Sequence, residues 1–132
     1  MNSEGFKGLF VWQKGVELAV FIYQITQSGD FSKDYSLRNQ IRDAAVSIPS
    51  NIAEGDELGT DKQSIKHFYI AKGSCAQVLT QAIIAQKIGY LDITEFKELE
   101  FRCTELSRML AKVITAGSKP CQNIPWPSVF SQ

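Results

Sequence analysis

The sequence predicts an all-α fold: an antiparallel up-down-up-down four-helix bundle with a proline-kinked second helix and a C-terminal tail. Three observations lead there. Apolar residues recur at helical spacing through four long segments. Glycines and polar turn formers separate those segments and leave short connections, which favours antiparallel neighbours. No segment reads as a strand. Residues 1–117 are read as the bundle domain and residues 118–132 as the tail.

The first helix is expected from about Phe10 to Gln27, with Trp12, Val16, Ala19, Val20 and Tyr23 as its apolar stripe. The segment SGDFSKDYS breaks it through Gly29 and polar turn formers. The second helix is expected from about Leu37 to Glu54, with Ser36 as N-cap and Gly55 as the stop. After the linker DELG, Thr60 and Gln63 make a Thr-x-x-Gln capping box. They open a third helix from about Asp61 to Ile88, roughly 40 Å long at 1.5 Å per residue. Its core side reads as Ile65, Phe68, Tyr69, Ala76, Leu79 and Ile83, and Gly89 ends it. Asp92 and Glu95 repeat the capping-box pattern and open the fourth helix at about Ile93. That helix runs through Phe96, Leu99, Cys103, Leu106, Leu110, Val113 and Ile114 and stops at Gly117. The three prolines of the tail, GSKPCQNIPWPSVFSQ, prevent it from continuing the helix. Its apolar residues Ile124, Trp126, Val129 and Phe130 leave two readings open, a disordered end and a strand-like arm docked on its own bundle or on a neighbouring subunit.

At 132 residues the chain makes one domain and can bury a core without metal or disulfide staples. The apolar share of 44% and charged share of 21% are ordinary for a globular protein. Fourteen basic residues balance fourteen acidic ones. That argues against a generic nucleic-acid binder, which carries a marked basic excess, but leaves room for a local basic patch. Cys75, Cys103 and Cys121 are odd in number and far apart, which points to reduced thiols in a cytoplasmic protein. The run LFVWQKGVELAVFIY is broken by Lys14 and Glu17, so it is neither a signal core nor a membrane span. No membrane partner is expected.

The second helix contains the stretch AAVSIPSNIAEG, rich in weak helix formers. Pro49 inside a helix costs about 3 kcal/mol and clashes with the carbonyl four residues back, that of Ala45. A kink near Ala45 to Pro49 is expected. Ser47, Ser50, Asn51 and Glu54 sit at i, i+3, i+4 and i+7 and make one polar stripe beside the apolar one. If the second and third helices are antiparallel, Glu54 lies near Lys62 or Lys66, and Arg42 and Asp43 lie near Ser74 to Gln77. The stripe is then read as a polar network at a helix or subunit interface that fixes register. Two other readings stand beside it. One is a solvated face, against which the scarcity of Lys and Glu counts. The other is an active site with Ser47 or Ser50 as nucleophile and Glu54 nearby, which needs a general base. The one histidine, His67, is placed past the tip of the second helix.

Four segments, LFVWQKGVELAVFIYQIT, QIRDAAVSIPSNIAEG, FYIAKGSCAQVLTQ and IIAQKIGYL, occur in this order. Together they resemble the small bacterial four-helix-bundle proteins named after open reading frames in intervening sequences of 23S ribosomal RNA genes. The resemblance spans roughly Leu9 to Ile114, and the SIPSNIAEG block is its most specific part. It implies an antiparallel four-helix bundle that assembles into a ring, typically a homopentamer, with no established biochemical role. The accessory variability protein of diversity-generating retroelements is related in fold and is implicated in binding nucleic acid and a reverse transcriptase. The chain departs from the pattern at Asp43, where a basic residue is usual, and at Gln77, Val78 and Leu79, where a Glu-Leu-Glu-like run is usual.

Other chemistries find little support. A carboxylate-bridged di-iron site needs Glu-x-x-His motifs, and Ser64 stands three residues before His67. The cysteines lack C-x-x-C spacing for zinc. AKGSC lacks the glycine and order of a phosphate loop, and Gly73 is read as permitting a close helix–helix approach. On the fourth helix, Glu95, Glu98, Glu100 and Glu105 alternate with Lys97, Arg102, Arg108 and Lys112, which reads as a salt-bridged solvent face. Arg38 with Arg42 and Lys62 with Lys66 are each one turn apart and form a candidate nucleic-acid contact, with ordinary solubilising charge as the competing reading. Tyr90, Trp126 and Phe130 are the aromatic residues available to stack on bases.

These readings converge on a cytoplasmic, non-enzymatic, homo-oligomeric bundle that acts as a binding or scaffold module: no catalytic residue, cofactor, metal or small-molecule substrate is expected. Its expected partner is itself, as a pentamer, organised by the structural stripe Ser47, Pro49, Ser50, Asn51 and Glu54. The alternative is an accessory protein that contacts RNA or DNA backbone through Arg38, Arg42, Lys62 and Lys66.

Overall fold

A computed structural model describes residues 5–58 and 61–116. The described residues are helical and contain no strand. After a 3-10 turn at Gly5–Gly8 come α1 (Phe10–Ile25), α2 (Gly29–Lys33), α3 (Tyr35–Glu57), α4 (Asp61–Lys87) and α5 (Ile93–Thr115). The expected tail, the expected stop at Gly117 and the Thr60 half of the first capping box lie outside the described residues.

The four long helices fall where periodicity places them, with three local differences. The polar break SGDFSKDYS holds the short helix α2, entered through Gly29 at φ +70°. Asp34, not Ser36, caps α3: its carboxylate accepts from the Leu37 amide at 3.1 Å. Gly55 does not stop α3, which continues to Glu57. Gly55 instead lets α3 press against α4. A Cβ there would lie 2.8 Å from the Phe68 ring and 3.1 Å from the Ser64 carbonyl. The expected stop of α4 and the expected start of α5 hold. Gly89 has φ +89°, which favours glycine. Asp92 and Glu95 form a full capping box at 2.7 and 3.1 Å.

Each long helix packs on two others: α1 on α3 and α5, α4 on α3 and α5. Leu18, Ile22, Ile41, Ile48, Ile52, Phe68, Val78, Leu99, Leu106 and Leu110 meet in one buried core. Phe31 of α2 closes its end, with the Tyr90 ring 5.4 Å away.

The expected core faces of the first and third long helices need correction. In α1 the buried residues are Val11, Gln13, Gly15, Leu18, Ala19 and Ile22, while Val20 and Tyr23 are exposed. In α4 they are Ser64, Phe68, Ala71, Ser74, Cys75, Val78, Ala82 and Ala85, while Tyr69, Ala76 and Ile83 face outward. Both helices carry apolar residues on more than one face, so spacing alone does not say which face turns inward. In α4 the inward face is the one with small residues, which let α3 and α5 approach closely.

Gly55→Ala should lower stability by about 1–3 kcal/mol through overpacking against Phe68. The same change at an open helical site usually gains up to about 1 kcal/mol. A shift of the urea midpoint to lower concentration checks this.

Candidate functional site

The stripe of weak helix formers on α3 meets α4 as a line of hydrogen bonds. Ser47 Oγ lies 2.9 Å from Ser74 Oγ. Asn51 Nδ2 donates to the Ser47 carbonyl at 2.9 Å and to Ser47 Oγ at 3.0 Å. Asn51 Oδ1 lies 2.9 Å from His67 Nδ1, and Glu54 Oε2 lies 3.2 Å from the same nitrogen. Below them Ser64, fully buried, donates to the Gly55 carbonyl at 2.6 Å. The contacts pair rising numbers in α3 (47, 51, 55) with falling numbers in α4 (74, 67, 64), so these two helices run in opposite directions.

The network sets its own proton positions. A carbonyl oxygen only accepts, so the Asn51 amide nitrogen faces Ser47 and its oxygen faces His67. His67 must then carry a hydrogen on Nδ1, which leaves the lone pair of the neutral ring on Nε2. The Ser47 hydroxyl accepts from Asn51 and shares a second bond with the Ser74 hydroxyl, in which either oxygen can donate. An amide stands between this serine and the imidazole. It cannot take the hydroxyl proton, so His67 is not hydrogen-bonded to Ser47 as a general base would be. Ser50 is exposed on another face of α3 and joins none of these bonds.

Several expected placements are therefore corrected. His67 does not lie past the tip of α3; it packs beside Asn51 and Glu54. Glu54 meets His67 rather than Lys62 or Lys66. Ser50 leaves the stripe, because a residue three positions from Ser47 turns past the α4 interface. Pro49 turns the other way, toward α1, where a Cβ on Gly15 would sit 3.3 Å from the proline Cβ. The Gly73 expectation also changes: a Cβ there would meet nothing within 4 Å, so Gly73 serves no close approach among the described residues.

The four candidate nucleic-acid contacts do not form one patch. Arg42 faces α1 rather than Ser74 to Gln77. Its Nε donates to Thr26 Oγ1 at 2.8 Å, and its guanidinium stacks 4.4 Å from the Tyr23 ring centre. Arg38 stacks on Tyr35 at 4.7 Å and donates to the Ser32 carbonyl at 2.9 Å. Lys62 and Lys66 are exposed on the first turns of α4, toward the other end of α3. Arg38 and Gly55 alone are about 25 Å apart along α3 at 1.5 Å per residue. Tyr90 is committed too: its hydroxyl donates to Asp34 at 3.0 Å, and that bond raises the phenol above its usual range. Trp126 and Phe130 lie outside the described residues.

A second cluster sits between α4 and α5. Cys75 and Cys103, both buried, line an open cleft of about 420 Å³ with Lys72 and Arg108 at its edge. Cys121 lies outside the described residues. Burial pushes the Cys75 thiol up to about 12, and burial together with the neighbouring Cys75 raises Cys103 as well. Both are therefore protonated and poor nucleophiles near neutral pH. Among the described residues no group of three or more His, Cys, Asp or Glu could hold a metal ion. The salt-bridged face expected on the fourth helix is present on α5, with Arg102–Glu98 at 2.8 Å and Arg108–Glu105 at 3.5 Å. No helix of the described residues is long and apolar enough to cross a membrane.

The residues that sequence reasoning missed are His67, Ser64 and Ser74. The signal for the serines was their spacing with Phe68, Ala71 and Val78 on one helical face. Asn51→Ala removes the bonds to Ser47 and strands His67 Nδ1, at a cost of about 1–3 kcal/mol. Ser50→Ala, exposed one position away, should change stability by under about 0.5 kcal/mol. Equilibrium urea unfolding of the two variants separates them. In Cys121→Ser protein, Ellman's reagent at about pH 8 should label neither Cys75 nor Cys103 until denaturant is added. The raised thiol favours the folded state below its ordinary value of 9.0, and that advantage is lost as pH climbs toward about 12.

The comparisons with known proteins agree with this architecture. A solved structure of a protein of unknown function from the S23 ribosomal protein family of Bacteroides thetaiotaomicron superposes with a TM-score of 0.73 at 21% identity. The match covers 79% of this chain and 97% of that one, and at this identity it speaks for the fold alone. No functionally curated protein matches the chain. The family described as 23S rRNA-intervening sequence protein matches residues 7–112, most of the described bundle and most of the sequence. The chain therefore belongs to the family of 23S rRNA-intervening sequence proteins.

Proposed function

We propose that the chain is a cytoplasmic, non-enzymatic, homo-oligomeric bundle that presents a surface to a partner. Its four long helices run up-down-up-down, and α3 bends at Pro49. Copies assemble into a ring, a pentamer by the family resemblance. The observation that carries this reading is the outward side of α4, where Tyr69, Ile70, Ile83 and Ile84 are all more than a third exposed. Large apolar side chains gathered in the open on one helix mark a surface that meets a partner. The interior polar line supports the same reading, because its members are spent on one another and leave no nucleophile beside a base.

The second reading, backbone-directed binding of RNA or DNA, is favoured by one feature. Among the described residues neither Lys62 nor Lys66 has an ion-pair partner, and both are exposed one turn apart. Repeated around a ring, such a pair gains avidity without new contacts. Arg38 and Arg42 contribute less, being held by Tyr35 and Tyr23.

Size-exclusion chromatography with light scattering and dual absorbance tests both. The expected mass is several times the 14.7 kDa of one chain, with a protein-like 260/280 nm ratio. A mass of one chain at all concentrations would sink the assembly. Nucleic acid that co-elutes, leaves at high salt and is lost on Lys62→Glu with Lys66→Glu, the oligomer surviving, would put the second reading first.

A further inference from the structure

Lys66 and Lys87 bracket the outward face of α4. Every exposed residue between them is uncharged, Tyr69, Ile70, Gly73, Gln77, Thr80 and Ile84 among them. Ile70 is 41% exposed and Ile84 45%. A solvated helix face normally carries charge, as α5 does with Glu98, Arg102, Glu105 and Arg108. Gly73 lies in the middle of this face. Glycine inside a helix costs about 1 kcal/mol against alanine, and no neighbour among the described residues requires it. A glycine there leaves room for a second surface to approach the helix backbone.

A second uncharged surface lies elsewhere on the molecule. Between α1 and α3 runs an open groove of about 300 Å³ lined by Val16, Val20, Tyr23, Val46 and Pro49, with no charged residue in its wall. Since α1 and α4 each pack on α3 and α5, the groove and the α4 face lie on different sides.

We infer that the outward face of α4 docks into the α1–α3 groove of a second copy of this chain. This rests on the homo-oligomer proposed above and names its contact. The occupant is another copy because one contact, repeated, removes both apolar surfaces from water, whereas a foreign partner on α4 leaves the groove open. A contact between unlike surfaces is heterologous and propagates from copy to copy until it closes. An antiparallel two-fold packing of α4 on α4 about Gln77 would instead set Lys66 against the Lys87 of the other copy, like charge on like. Gly73 gives the docking face a shallow waist between the bulk of Tyr69 and Ile70 and that of Ile84.

The test uses two variants at exposed positions, Ile84→Glu on α4 and Val20→Glu in the groove, with Phe101→Glu on α5 as control. Light scattering should give an oligomer for wild type and for the control, and 14.7 kDa for each variant alone, with helical circular dichroism unchanged. Mixed in equal amounts, each variant supplies the surface the other lacks, so a species of twice the monomer mass should form. A monomeric wild type overturns the homo-oligomer and this contact together. An oligomeric wild type that survives Ile84→Glu overturns the contact alone. Assembly retained by Val20→Glu, or no dimer in the mixture, overturns the groove as the docking partner. Gly73→Ala, which leaves the monomer fold intact, should raise the concentration needed for assembly; a lower one would overturn the close approach.

Discussion

The register of α3 against α4 is the constraint on which the rest of the structure depends. Ser47, Asn51 and Gly55 on one helix meet Ser74, His67 and Ser64 on the other, and each pair includes a polar group removed wholly or partly from water. Sliding α4 by one turn would leave those groups facing apolar neighbours. An unmatched buried donor or acceptor costs about 1–3 kcal/mol, so the slid register loses several bonds at once. Apolar contacts discriminate less, because Ala71, Val78, Ala82 and Ala85 offer similar surfaces at successive turns. The weak helix formers of α3 thus trade local helix propensity for a single alignment.

Pro49 works on the opposite side of the same helix. It has no amide hydrogen for the Ala45 carbonyl, yet α3 continues through it from Tyr35 to Glu57. Its ring lies against Gly15, where a Cβ on α1 would be 3.3 Å away. Proline on α3 and glycine on α1 together bring these two helices close. Arg42 then joins the same pair of helices nearer the end of α1. There it bonds Thr26, which itself donates to the Ile22 carbonyl at 2.7 Å. Arg42, a candidate phosphate contact, thus also ties α3 to α1.

The four long helices and most of their ends were legible in the sequence, because Gly89, the Asp92–Glu95 box and long apolar repeats are local signals; the short α2 was read only as a break. Facing was less legible. In α4, Tyr69 and Ile83 look as fit for a core as Phe68 and Val78, and only the partners decide between them. The polar stripe was legible as an interface, but its main partner was misplaced. A short loop between antiparallel helices pairs positions whose numbers sum to a constant; the constant that aligns Gly55 with Ser64 also aligns Asn51 with His67. Placing His67 past the end of α3 contradicted that register. Arg42 failed in a different way: its level along α3 was right, but its face turns to α1. Level follows from counting residues, whereas face needs the angle around the axis.

That angle links the interior of α4 to its exterior. Gly73 stands about 100° around the helix from Ser74, so the hydrogen bond that holds Ser74 inward also fixes where Gly73 points, which is toward open space. His67 and Ser64 hold the first half of the helix in the same rotation. A core face of small residues permits close packing but resists rotation weakly, since an alanine turned by part of a turn loses few contacts. Directional hydrogen bonds resist it strongly, because they weaken steeply with misalignment. The interior polar line therefore does more than align two helices. By fixing how α4 is rotated, it determines that Ile70, Gly73 and Ile84 form the face turned away from the core.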